Sequence, residues 1–340
     1  MPDPGPDRAP RVSSCTSAPA PETLDDFCIP DDGAGPAVSR PVPRLDPERC
    51  SVAALTRGDS GVATAPPAQR WLLVEQPGPW GREALLESRF DRAVASRVAR
   101  RAREEGVRVQ LVRRPGARLA DTRRRWAYVD TSPGVERAWW SIRSTDAELL
   151  DVPWDGSVGT PADRPMYLVC THGAHDTCCA VRGRPLARDL PAPSPADVWE
   201  TSHLGGCRFA ANIVVLPQGC YYGQVPGDGA EVVAAHEQGR VALPWLRGRT
   251  GLPLPVQAAQ HHARHELGLT GLADLPLLRL STLDSPGADV ERWAVTLAGP
   301  RGAVAVVVES RLPAHPDRLT CAAPGPGRAR TWHAMALTTP

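Results

Sequence analysis

The sequence predicts an α/β fold whose central unit is a β-α-β segment followed, after a loop, by a β-β-α segment. Three observations lead there. Between residues 164 and 245, short apolar runs alternate with helical patterns in that order. The stretch from 67 to 150 shows a similar order, which raises a degenerate internal duplication. Proline and glycine turns fall where the elements must reverse, as at Pro77-Gly78-Pro79, Pro191 to Pro195 and Pro217-Gln218-Gly219.

Residues 1–66 are rich in Pro, Ala, Ser and Asp with little periodicity, so a largely disordered tail draped on the fold is expected. Cys15, Cys28 and Cys50 lie there at wide intervals and read as incidental. The N-terminal α/β domain, 67–150, opens with the buried-strand run Trp71 to Glu75. One long helix is expected from Glu83 to Arg103, because Ala84, Leu85, Phe90, Val94, Val98 and Ala102 recur at helical spacing. Gly106 stops it. Strands follow at Val107 to Val112, Trp126 to Asp130 and Ala138 to Ile142, then a short helix near Thr145 to Leu150.

The domain at 164–245 begins with the strand Met166 to Val169, followed by a helix from Cys179 to Leu190. Val198 to Ser202 is the next strand. Ile213 to Leu216 and Tyr221 to Val225 form a hairpin, and Glu231 to Gln238 is the closing helix. This order is the thioredoxin topology. From 253 to 340 a helix, Pro253 to Leu267, precedes strands at Leu277 to Leu280, Trp293 to Leu297 and Ala303 to Val308, a small α+β piece.

Composition narrows the function. A hydrophobic content of 42% and a charged content of 23% are those of a globular protein. No lysine occurs, so all 39 basic residues are arginine, and the net charge is only +1. That balance argues against a nucleic-acid or membrane-surface binder. No signal peptide or membrane-length apolar run is visible, so the expected compartment is the cytoplasm. Disulfides are rare there, and the nine cysteines must be fillers, reactive thiols or metal ligands.

Spacing singles out Cys170-Thr171-His172-Gly173-Ala174-His175-Asp176-Thr177-Cys178-Cys179 and His203-Leu204-Gly205-Gly206-Cys207. Cys170 follows a strand, and Cys178 and Cys179 open a helix, whose N-terminal N–H groups favour thiolate, the ligand form. Asp176 is placed to cap that helix. His203 and Cys207 lie in the loop after the second strand, beside the first loop in a sheet of this topology. Two pairs of N/S donors on adjacent loops suit an iron–sulfur cluster or a zinc ion. Gly205-Gly206 lets the backbone turn tightly around such a centre.

Cys-Thr-His-Gly, His-Asp-Thr-Cys-Cys, Val-Trp-Glu-Thr-Ser-His-Leu-Gly-Gly and Arg-Phe-Ala-Ala-Asn resemble the sucrase/ferredoxin-like family of thioredoxin-fold proteins. Further likeness runs from about Trp71 to Gln260, through Glu75 to Gly81 and Leu246 to Arg249. The resemblance implies a [2Fe-2S] cluster held by Cys170, Cys179, His203 and the residue at 207, with Cys179 preferred to Cys178. The family's second histidine is Cys207 here. A three-thiolate, one-imidazole set around a core of about +2 totals about −1, which places the reduction potential between all-cysteine and two-histidine centres. The implied role is electron transfer, with electrons supplied by a separate reductase and passed to a separate acceptor, and no catalysis of its own. The competing readings are a structural zinc site on the same ligands and a thiol-redox protein. The latter lacks a Cys-x-x-Cys pair. Sugar hydrolysis finds no acid and nucleophile carboxylate pair. Cys178, Cys220 and Cys321 read as buried small residues, and His172 and His175 as loop histidines bonded to backbone. His261 and His265 are spaced i,i+4 but lack a third ligand.

Overall fold

The computed structural model describes residues 49–116 and 123–339. Cys15 and Cys28 lie outside the described residues. In chain order the elements begin with α1 (Cys50–Arg57), β1 (Arg70–Glu75), α2 (Ala84–Glu87), α3 (Arg92–Glu105), β2 (Val107–Arg113), β3 (Arg124–Asp130), β4 (Arg137–Arg143), α4 (Glu148–Asp151) and β5 (Thr160–Pro161). Then come β6 (Met166–Cys170), α5 (Thr177–Asp189), β7 (Val198–Thr201), β8 (Ile213–Leu216), β9 (Cys220–Tyr222), α6 (Ala230–Glu237) and β10 (Leu246–Arg249). Last are α7 (Leu254–Leu267), β11 (Leu277–Gly287), β12 (Val290–Gly299), β13 (Gly302–Arg311) and β14 (Thr331–Thr338).

Among the described residues, the strands make one ten-stranded mixed sheet and one four-stranded antiparallel sheet. The large sheet runs β10-β9-β8-β6-β7-β2-β1-β3-β4-β5. Within it β7-β6-β8-β9 and β2-β1-β3-β4 have the same order. In each half, the first two strands are parallel and the third and fourth add antiparallel. The halves meet where β2 pairs antiparallel with β7, Val112 facing Thr201 and Arg113 facing Glu200. The similar element order that the sequence shows in the two segments thus corresponds to two half-sheets of the same strand order joined edge to edge.

Alternation along the strands builds the layers. Leu72 and Val74 pack with Ala95, Val98 and Ala102 of α3, whereas Trp71 and Leu73 join a core continuous with Leu168, Cys170 and Trp199 of the second half. Tyr167 and Val169 face the opposite way, onto Leu186 and Ala187 of α5 and Val232 and Val233 of α6. The expected single helix from Glu83 to Arg103 is two helices, α2 and α3. The side chain of Asp91 accepts the Val94 N–H at 2.9 Å and starts α3 afresh, a capping bond that outcompetes continuous helix. Residues 49–66, which the sequence assigns to the tail, carry α1 and lay Cys50, Ala63 and Ala65 in the interior. The C-terminal sheet packs on α7, with Val295, Leu297, Val304 and Val306 against Val256, Ala259 and Ala263.

Candidate metal centre

Cys170 is the last residue of β6 and lies opposite Thr201 of β7 in parallel register. The loops leaving the two strands therefore start side by side at their carboxyl ends. The first loop is fixed by Asp176, whose carboxylate accepts the Cys178 N–H at 2.8 Å and begins α5. A Cβ at Gly183 would lie 2.0 Å from the carbonyl oxygen of Cys170, so glycine is what lets α5 lie this close to β6. In the second loop, Gly205 and Gly206 take φ of 94° and 74° before Cys207 opens a 3-10 turn, Cys207–Phe209. The buried Arg247 guanidinium donates to the Gly205 carbonyl at 3.0 Å and to Asn212 Oδ1 at 2.8 Å, and Asn212 Nδ2 donates to the Gly206 carbonyl at 3.0 Å.

These constraints bring together the four residues that the sequence singles out. Cys170, Cys179 and His203 have donor atoms within 4.8 Å of one another, and Cys207 joins them through separate groups with His203 and with Cys179. The Cys207 Sγ lies 3.7 Å from His203 Nδ1. His175 belongs to the same neighbourhood, its ring stacked on His203 at 3.7 Å between centroids and its nitrogen grouped with His203 and Cys207. His172 Nε2 donates to the Gly81 carbonyl at 2.6 Å and Nδ1 accepts the His203 N–H at 3.2 Å, so this ring is a strut between two loops. Arg208 pairs with Asp59 at 3.4 Å.

The thiols polarise one another. Hydrogen bonding from Cys179 holds the Cys170 and Cys207 thiols well below the usual range against the effect of burial, with His203 reinforcing both. The Cys179 thiol is pushed up by the same two bonds and by burial. Burial disfavours a charged His203, but the Cys207 and Cys170 sulfurs outweigh it and raise its pKa to about 10. Cys170 and Cys207 are thus held toward thiolate, the form that binds metal.

A second group of donors was not legible in the sequence. Cys50, Asp176, Cys178 and Cys321 have ligand atoms within 4.8 Å of one another. Cys178 therefore turns away from Cys170 toward Cys50, at 3.6 Å between sulfurs, and Cys321, at 3.5 Å. The reading of these three cysteines as separate fillers missed that they converge. They stand 128 and 143 positions apart, and only the fold connects them. Cys220 is buried, and burial pushes its thiol up. Among the described residues, His261 and His265 fall in no group of three or more metal donors, although their rings lie 4.7 Å apart.

The model of a family described as sucrase/ferredoxin-like matches residues 62–248, more than half of the chain. No curated protein and no solved structure was found to match it. Among the described residues, no helix is long and apolar enough to cross a membrane.

Proposed function

The chain belongs to the sucrase/ferredoxin-like family, and from that premise we propose that Cys170, Cys179, His203 and Cys207 hold a [2Fe-2S] cluster used for electron transfer. The observation that carries the reading is the convergence of these donors from the ends of two parallel neighbouring strands and the start of α5. Their chemistry fits the group: three thiols and one imidazole supply the four ligands that two irons require. Their spread over overlapping groups, and not one set in which every donor is near every other, suits a centre of two ions better than a single tetrahedral ion.

When bound, such a cluster takes up and releases single electrons. The chain's own residues set the conditions. Cys170, Cys179 and Cys207 are buried at 1%, 1% and 4% exposure, which keeps water from the sulfurs. His203 is half-buried and His175 lies over it, so the imidazole side is the one nearest solvent. Electrons would enter and leave there, from a reductase and to an acceptor on other chains. The histidine nitrogen that does not bind iron carries a proton that can be lost, which ties the potential to pH.

The test is a visible spectrum of anaerobically purified protein with iron and acid-labile sulfide measured on the same sample. Bands that bleach with dithionite and about two iron and two sulfide per chain are expected. Cys170→Ser, Cys179→Ser and Cys207→Ser should each lose essentially all of the iron. A colourless protein with zinc on these four residues would replace the proposal with a structural site. A potential that stays flat across the alkaline range would remove His203 from the ligand set.

A further inference from the structure

We infer that Cys50, Cys178, Cys321 and Asp176 form a second metal site, of the structural zinc type, beside the cluster site, whose Cys179 and Cys207 also have donor atoms near Asp176. Three segments remote in sequence meet there: the first turn of α1, the first turn of α5 and the strap between β13 and β14. Cys50 and Cys178 are 0% exposed, Asp176 1%, and Cys321 is half-buried. A tetrahedral zinc with Zn–S bonds of about 2.3 Å places its sulfurs about 3.8 Å apart. The observed separations are 3.6 Å for Cys50–Cys178 and 3.5 Å for Cys178–Cys321, and Cys50 Sγ lies 3.8 Å from Asp176 Oδ2. Unlike the donors of the cluster site, these four make one group in which each lies near all the others.

Donors around the site are directed at a sulfur and at the carboxylate. The Cys50 N–H donates to Cys321 Sγ at 3.2 Å, and the amide and hydroxyl of Ser51 donate to Cys178. At the start of α1, which has no side-chain cap, the amides of Cys50 and Ser51 thus point at sulfur while those of Val52 and Ala53 bond the Arg49 carbonyl, and the helix dipole favours the negative charge. Asp176 is oriented as a ligating carboxylate usually is, by bonds from elsewhere. Its Oδ2 accepts from Thr320 Oγ1 at 2.5 Å and from the Cys321 N–H at 2.7 Å, while Oδ1 accepts from the Cys178 N–H. Three thiolates and one carboxylate around a divalent ion carry a net charge of about −2, and thiols that were protonated release their protons on binding. No oxidant is involved. The ion would tie α1 and the C-terminal strap to the helix that also presents Cys179, and so seal one side of the cluster site.

The experiment measures zinc and iron together, by elemental analysis of the full chain purified anaerobically. About one zinc per chain beyond the iron is expected. Cys50→Ser combined with Cys321→Ser should lose the zinc and keep the iron and its visible bands, which also report that the variant folds. Cys170→Ser should do the opposite. A cobalt titration of the wild-type chain stripped of metal gives a readout independent of any variant: tetrahedral thiolate–cobalt bands that are retained in Cys170→Ser are expected. Zinc that survives the double substitution overturns the inference. So does wild-type protein that keeps its iron but holds no zinc and gives no such cobalt bands. A disulfide between any two of Cys50, Cys178 and Cys321 in that protein also overturns it. None of these results touches the iron count on which the cluster proposal stands or falls.

Discussion

The two half-sheets share strand order and direction, yet only one of them ends its leading strand in a cysteine. β6 ends in Cys170, whereas β1 ends in Glu75. The loop after β1 holds no cysteine or histidine and instead runs as Gln76-Pro77-Gly78-Pro79-Trp80 toward the other half. There Trp80 meets the ring of His172 edge-on at 5.8 Å between centroids, and the Gly81 carbonyl accepts a hydrogen bond from His172 Nε2. From β2, Gln110 donates to the Ser202 and His203 carbonyls at 2.8 and 2.7 Å, and Arg113 pairs with Glu200 at 2.6 Å. One half presents the donors and the other braces the loops that carry them. A fold supplies positions, and the chemistry depends on which side chains stand at strand ends.

That division of labour can be broken at graded cost. The second half closes with α6, where His236 is buried and its Nε2 lies 2.8 Å from the Tyr222 hydroxyl. The first half closes with the four-residue α4, which has no histidine. Burial lowers the His236 pKa to about 4. The folded state binds the proton more weakly than the unfolded one, so this contribution is intact above about pH 6.5 and lost as pH falls through 4. Between pH 7 and pH 4 the wild type should lose about 3 kcal/mol that His236→Gln does not, read from denaturant midpoints across that range. Equal slopes for the two proteins would show that His236 does not carry the acid sensitivity.

A smaller effect tests the brace. Gln110→Ala removes donors to the backbone of the His203 loop and leaves every proposed ligand side chain in place. Loss of the proposed cluster to a chelator should quicken about tenfold, the low end of what outer-shell substitutions cost. An unchanged rate would reduce the first half to a passive neighbour. The smallest effect concerns local architecture alone. Asp91 and Asp176 both cap helices, but Asp91 is exposed and far from the donors. Asp91→Ala should cost about 1 kcal/mol of thermal stability and leave iron content unchanged.

Much of the second half was legible because its information is local. Cys170, Asp176 and Cys179 sit within one strand–loop–helix, and His203 and Cys207 within one loop, so strand ends and a helix cap suffice to bring them together. The repeat of strand order was legible for the same reason. What escaped depends on long-range packing. Cys50 and Asp176 are 126 positions apart, and Cys321 and Asp176 are 145 apart, distances across which no periodicity carries a signal. Apolar periodicity also ran past Asp91, because α2 and α3 bury faces against the same core while a capping bond divides them.

The β2–β7 seam also settles where this molecule can add strands. Two half-sheets standing alone would each expose a strand that now lies in the middle of ten. The outer strands that remain on the large sheet are short: β10 has four residues and β5 has two, one of them a proline without an N–H to offer. Short, proline-bearing margins resist pairing with other chains. Among the described residues the longest open margin is β11, eleven residues at the rim of the small sheet with Leu278, Leu280 and Leu283 exposed. That margin is itself interrupted, by register shifts after Leu277 and after Leu283 and by Pro286, so the stretch left open to another chain is the short run from Arg279 to Leu283.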